Sequence, residues 1–217
     1  MSKKLLLFAP VTFDLAETTR MLEIAKGIIR HPAASKAFDI QFISNGGDLE
    51  HLIEAEGFAL QRLKPRLTPE KIEFIGKVDK GETFAPAFSQ KEMIALIDNE
   101  VSYLKQIKPS AVITGSYMTI PITCQILKIP LVWVIQSTWL EDFFARGAGM
   151  TDETKFPLLK TVADWFILLF INFWIRYGFL NPVNKAAQHY GVKQYRSIFD
   201  YWRGTSHLWQ NRLNSQE

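Results

Sequence analysis

Four short, nearly unbroken apolar runs, Leu5 to Ala9, Asp39 to Ser44, Ala111 to Thr114 and Leu131 to Ile135, constrain this chain more than any other feature. Between them the apolar residues recur at helical spacing: Glu17 to Arg30, Leu49 to Glu56, Gln90 to Ile107 and Ile120 to Leu127. A strand wet on one face alternates apolar and polar residues, whereas a strand apolar at nearly every position is covered on both faces. Parallel neighbours need long crossovers, and helices supply them. The alternation therefore predicts an α/β fold: a Rossmann-like, doubly wound parallel sheet. Turn chemistry agrees. Asn45-Gly46-Gly47 closes the second strand with Asp48 as a candidate N-cap, Gly57 ends the next helix, Pro109 follows the long helix, and Pro130 directly precedes the Leu131 to Ile135 run.

The 217 residues are 47% hydrophobic, enough to bury a substantial core. A single cysteine, Cys124, excludes an intramolecular disulfide, and MSKK runs into a strand without a signal-peptide apolar region. A cytoplasmic location is the expectation. The net charge of +3 is too small to argue for nucleic acid, but it is unevenly spread. From Lys155 onward eight Lys and Arg face three Asp and Glu, so the tail carries about +5 and the preceding residues about −2.

Residues 61 to 90 read as an irregular, charged insertion rich in Lys, Pro and Gly. After Trp139 the composition shifts. The stretch 156–184, FPLLKTVADWFILLFINFWIRYGFLNPVN, places aromatics and leucines around every side of an expected helix, interrupted by Asp164, Asn172 and Arg176. Its apolar runs fall short of the ~20 residues a membrane-spanning helix needs. Two readings remain: a helix pair buried in the domain or an interface, or an interfacial surface with aromatics in the headgroup boundary and Lys155, Lys160, Arg176 and Lys185 against anionic lipid. The division expected is 1–140 as the Rossmann-like part and 141–217 as an aromatic-rich helical extension packing on it.

Ligands of parallel sheets sit beyond the carboxyl ends of the strands, so the strand-end loops are the place to look. The loop after the first strand has no glycine between Phe8 and Met21 and cannot wrap a pyrophosphate as a glycine-rich turn does. It offers Thr12, Phe13, Asp14 and Glu17 instead. A carboxylate whose burial raises its pKa toward neutrality can take a proton from a hydroxyl, which makes Glu17 and Asp14 candidate bases. Helix capping explains the same residues, and the two roles are compatible. Gly46 and Gly47 suit either a tight turn or close backbone approach to a ligand. Ser116 and Tyr117 follow the Ala111 to Thr114 run, and Gln136, Ser137, Thr138 and Trp139 follow the Leu131 to Ile135 run; polar residues with an aromatic suit a sugar or lipid-alcohol acceptor. Histidines 31, 51, 189 and 207 lack metal-ligand spacing, and no dinucleotide, P-loop, serine-hydrolase or zincin motif is present.

Three phrases, in order and spacing, resemble GT-B glycosyltransferases of the UDP-glycosyltransferase and macrolide-glycosyltransferase type: MLEIAKGI after the first strand, SNGGDLEHLIEAEGFALQRL, and KPSAVITGSYMTIPITCQILKIPLVWVIQSTW. They cover about residues 4 to 140 and correspond to the family's N-terminal, acceptor-binding half. The resemblance implies that the loop after the first strand supplies the base that deprotonates an acceptor hydroxyl. Family members carry a Gly-His pair there and a partner aspartate after the fourth strand. Ungapped alignment puts Ala16 and Glu17 at the Gly-His pair and Arg20 at a family proline, and the aspartate position falls near Thr114, Gly115 or Ser116, so the His-Asp dyad is lacking. A UDP- or dTDP-sugar donor is expected on a C-terminal half, with none bound by this chain alone. The resulting expectation is an acceptor-binding half working with a separate donor-binding subunit on a small-molecule or lipid-linked acceptor, with peripheral membrane contact through 156–184. The alternative is a truncated, non-catalytic module holding a hydrophobic ligand or a protein partner.

Overall fold

The computed structural model describes residues 3–136, 166, 169, 173 and 175–202. Five strands, β1 (Lys4–Ala9), β2 (Phe38–Ser44), β3 (Ala59–Arg62), β4 (Ala111–Thr114) and β5 (Leu131–Trp133), form one sheet in the order β3-β2-β1-β4-β5. Every pairing is parallel, with Leu6 beside both Ile40 and Ala111. The doubly wound sheet is the one the apolar runs predict. β1 is central because it alone pairs with both β2 and β4, and the chain reverses direction of winding there.

Alternation along the strands sorts the core into layers. Phe8, Phe42 and Ile113 face one side and pack on Met21, Leu22 and Ala25 of α1 (Leu15–Arg30) and Ile53 of α3 (Glu50–Ala55). Leu7, Ala9, Ile43 and Val112 face the other, against Leu104 of α5 (Gln90–Ile107) and Ile120 and Cys124 of α6 (Ile120–Leu127). α5 is capped at Ser89 by a reciprocal pair of hydrogen bonds with Glu92. The remaining short helices are α2 (Pro32–Ala37) and α4 (Pro69–Asp79).

Here two expectations are corrected. Residues 61–90 are not wholly irregular: they hold the end of β3 and all of α4, which starts with a Thr68 cap and Pro69 in its first turn. Only Val78 of α4 is buried, so its apolar periodicity is faint. Asp48 is not the cap of α3 either; Leu49 occupies that position and no side chain caps it. Asp14, by contrast, caps α1 as expected, accepting from the Glu17 amide at 3.0 Å.

Toward the C-terminus a π-helical turn (Ile175–Leu180) leads into α7 (Asn181–His189) and then α8 (Ile198–Trp202). Leu180, Val183, Ala186 and Tyr201 join Met93, Leu96 and Ile97 of α5 in a third apolar cluster. The Tyr201 hydroxyl donates to the Met118 carbonyl at 2.8 Å, and the Tyr190 hydroxyl to Asp98 of α5 at 2.7 Å. The aromatic stretch thus divides: its end is core, while Leu169, Phe173 and Tyr177 are exposed. Among the described residues no helix is long and apolar enough to cross a membrane.

One core position breaks the apolar rule. Glu100 falls in register with Met93, Ile97 and Leu104 on the buried face of α5 and has no solvent exposure. Thr119 donates to one carboxyl oxygen and Thr123, at 2.6 Å, to the other. Burial pushes its pKa up to about 7, against two hydroxyl donors that favour the charged form. Because the folded protein holds this proton more tightly than the unfolded chain, stability contributed by neutral Glu100 is present at low pH and declines as pH rises from about 4.5 to about 7. Denaturant titrations across pH 4 to 8 should show this decline, roughly 3 kcal/mol in total, and Glu100→Gln should flatten it.

Loop packing is as demanding as the core. A Cβ on Gly47, whose φ is +154°, would lie 2.3 Å from the backbone carbon and oxygen of Thr12. Gly27, exposed within α1, has open space around it. Gly47→Ala should therefore lower stability by about 2 kcal/mol or more, while Gly27→Ala should raise it by roughly 0.5–1 kcal/mol, both measurable by thermal and denaturant unfolding.

Candidate functional site

The chain reverses at the carboxyl ends of β1 and β4, and the loops that leave them diverge. Between them lies a groove lined by Asp14, Glu17 and Arg20 of the β1–α1 segment, Gly115 and Ser116 after β4, and Val134, Ile135 and Gln136 after β5. It has a polar side from the first two segments and an apolar side from the third.

Glu17 is the pivot of this groove. It sits in the first turn of α1, where the amide ends favour a negative group. Its side chain spans from one loop to the other: Oε1 accepts from the Val11 amide at 3.0 Å and from the Ser116 amide at 3.1 Å. Oε2 accepts from the Ser116 hydroxyl. Only 4% of the residue is exposed. Burial raises the Glu17 pKa, the three hydrogen bonds from Ser116 and Val11 oppose the rise, and the nearby Asp14 charge adds to it.

The approach of the carboxylate requires a glycine on the opposite loop. A Cβ at Gly115 would lie 2.7 Å from the Glu17 carboxyl carbon and 2.9 Å from Oε1. Burial, glycine and hydroxyl together leave a proton-accepting group of raised basicity bonded to the exposed Ser116 hydroxyl. Such a pair can accept a proton from a hydroxyl brought to the groove, directly or through the serine.

Other expected residues lie behind the groove. Thr12, 1% exposed, bonds the Ser44 hydroxyl at 2.7 Å and donates to the Gly46 carbonyl at 3.0 Å. Phe13 is half-buried at the same seam, its amide among the atoms closest to Gly47. Gly46 packs against Leu67 backbone and Gly47 against Thr12, so both glycines serve loop-to-loop contact. Tyr117 is buried and its hydroxyl donates to Asn45 Oδ1. These residues stitch the β1, β2 and β4 loops together. Ser137, Thr138 and Trp139 lie outside the described residues.

Arg20 in the groove lining went unremarked in the sequence except as the residue at a family proline. Its signal was its spacing: three residues after Glu17, it shares the same face of α1. Val134 and Ile135 were legible only as strand residues.

No family model matches the chain, and no curated protein matches its sequence. Among solved structures it is similar to the spinosyn forosaminyltransferase SpnP, with 11% identity and a TM-score of 0.51 over 91% of this chain and 44% of that one. MurG of Acinetobacter baumannii (12% identity, TM-score 0.45, 62% and 35% covered) and the glycosyltransferase SnogD from Streptomyces nogalater (16%, 0.44, 62% and 34%) are further matches. The chain spans less than half the length of each. With the all-parallel sheet in the order β3-β2-β1-β4-β5, the likeness to SpnP gives the chain a Rossmann-like fold of the GT-B glycosyltransferase type.

Proposed function

We propose that these residues form the acceptor-binding domain of a glycosyltransferase, with Glu17 as the general base and the nucleotide-sugar donor held by a second domain. The observation that carries the reading is the buried Glu17 carboxylate, of raised pKa, bonded to the Ser116 hydroxyl at the floor of the groove. The two positions at which related enzymes hold a base and its partner, read from sequence as Glu17 and the neighbourhood of Ser116, are in contact across the two loops. Histidine and aspartate are replaced, and the contact between the positions remains.

In this reading the acceptor hydroxyl gives its proton to Glu17 as its oxygen bonds to the anomeric carbon of a nucleotide sugar. The bond from that carbon to the donor phosphate breaks, and a nucleoside diphosphate leaves. Val134 and Ile135 hold the apolar part of the acceptor, and Asp14 and Gln136 offer polar groups at its rim. The length relation to SpnP supports a second domain carrying the donor.

Turnover of UDP- and dTDP-sugars should require a donor-binding domain alongside these residues; robust turnover by residues 1–217 alone would sink that division of labour. In the reconstituted pair, Glu17→Gln should cut kcat by about 100-fold or more with little change in melting temperature, because the amide oxygen still accepts from Val11 and Ser116. Native kcat/KM should rise with pH through a limb that lies above the ordinary carboxylate range, since the base works ionised, and that limb should vanish in the variant. An unchanged rate would reduce Glu17 to a loop brace. Gly115→Ala should displace the carboxylate, lowering both activity and stability, the latter by about 1–3 kcal/mol.

A further inference from the structure

We propose that Arg20 is a receptor for a phosphate group on the ligand whose hydroxyl meets Glu17, which makes the groove selective for a phosphorylated substrate. The inference rests on the acceptor-site reading and adds to it the chemistry of the substrate.

Glu17 and Arg20 are three residues apart on α1, so their side chains project from one face with Cβ atoms about 5–6 Å apart. Both line the groove. Yet Glu17 forms no ion pair with Arg20; its oxygens accept instead from the Val11 amide, the Ser116 amide and the Ser116 hydroxyl. Asp14, the other acid of the groove, caps the helix through the Glu17 amide. It forms no ion pair with Arg20 either, although both line the groove. The contrast with the arginines across the sheet is direct. Arg62 and Arg66 are tied to Glu50 and Glu54 at 2.8–3.0 Å, whereas Arg20 makes no ion pair or hydrogen bond among the described residues.

A guanidinium with its donors unspent beside a concave surface matches a tetrahedral oxyanion, which it holds by two parallel hydrogen bonds. Such a group, fixed one helical turn from the base, also orients the hydroxyl attached to the same ligand. Two sources share this chemistry: a phosphate on the acceptor, or the diphosphate of the departing nucleotide.

The test follows the side-chain Nε–H signal of Arg20 in the 15N-labelled full chain, assigned by its loss in Arg20→Lys. Inorganic phosphate, n-octyl phosphate, UDP and the neutral n-octanol are titrated in turn. The phosphate-bearing probes should shift this signal saturably and octanol should not. Arg20→Met, which keeps the alkyl stem, should weaken the tightest phosphate probe by about tenfold or more, and Arg20→Lys by less. Tightest binding by octyl phosphate supports a phosphate on the acceptor, and tightest binding by UDP overturns the inference by assigning Arg20 to the leaving nucleotide. A phosphate probe that leaves the Arg20 signal unmoved, or binds Arg20→Met as well as the native chain, overturns the inference. This outcome is separable from failure of the catalytic reading, because phosphate binding needs no turnover and Glu17→Gln leaves Arg20 in place.

Discussion

The Glu17 carboxylate accepts hydrogen bonds from the Val11 amide, the Ser116 amide and the Ser116 hydroxyl, and with them ties together the two loops that leave the centre of the sheet. Everything at the groove depends on that bridge. It orders the backbone of both loops, satisfies two amides that would otherwise be partly buried without partners, and removes a carboxylate from water. That burial raises the pKa, while the three hydrogen bonds of the bridge oppose the rise.

Around this bridge the loops are braced from behind. Thr12 joins Ser44 and Gly46, Tyr117 joins Asn45, and Gly47 allows the β1 and β2 loops to touch backbone to backbone. On the far side of the sheet, Tyr201 reaches the Met118 carbonyl just beyond Ser116, so the C-terminal helices help fix the β4 loop. Glu100 adds a second buried carboxyl, held by Thr119 and Thr123 at the start of α6. Two acids, one at the groove and one in the core, thus restrain successive parts of the segment from Ser116 to Thr123.

Much of the fold was legible because its causes are local and repetitive. Apolar runs at Leu5–Ala9 and Ala111–Thr114 report strands covered on both faces, and Asp14 before an amphipathic stretch reports a capped helix start. α4 was illegible because a helix with one buried residue needs no apolar stripe, and its Thr68-Pro69 start was the remaining clue. In the site, Asp14 and Glu17 were found from loop chemistry. Thr12 and Tyr117 were selected for the same polarity but face inward, since a hydroxyl satisfied by a neighbouring loop looks in sequence like one awaiting a ligand.

The amino-acid sequence by itself determined the parallel sheet, the order of its elements and the acidic character of the first loop, because periodicity, turn residues and caps act over a few neighbouring positions. Tertiary structure alone decided that Glu17 meets Ser116, 99 residues away, that Gly115 makes room for the carboxylate, and that Arg20 lines the same groove without an ion pair or hydrogen bond among the described residues. Those facts depend on which loops the sheet brings side by side and on how closely their backbones approach, and no local pattern encodes such distances.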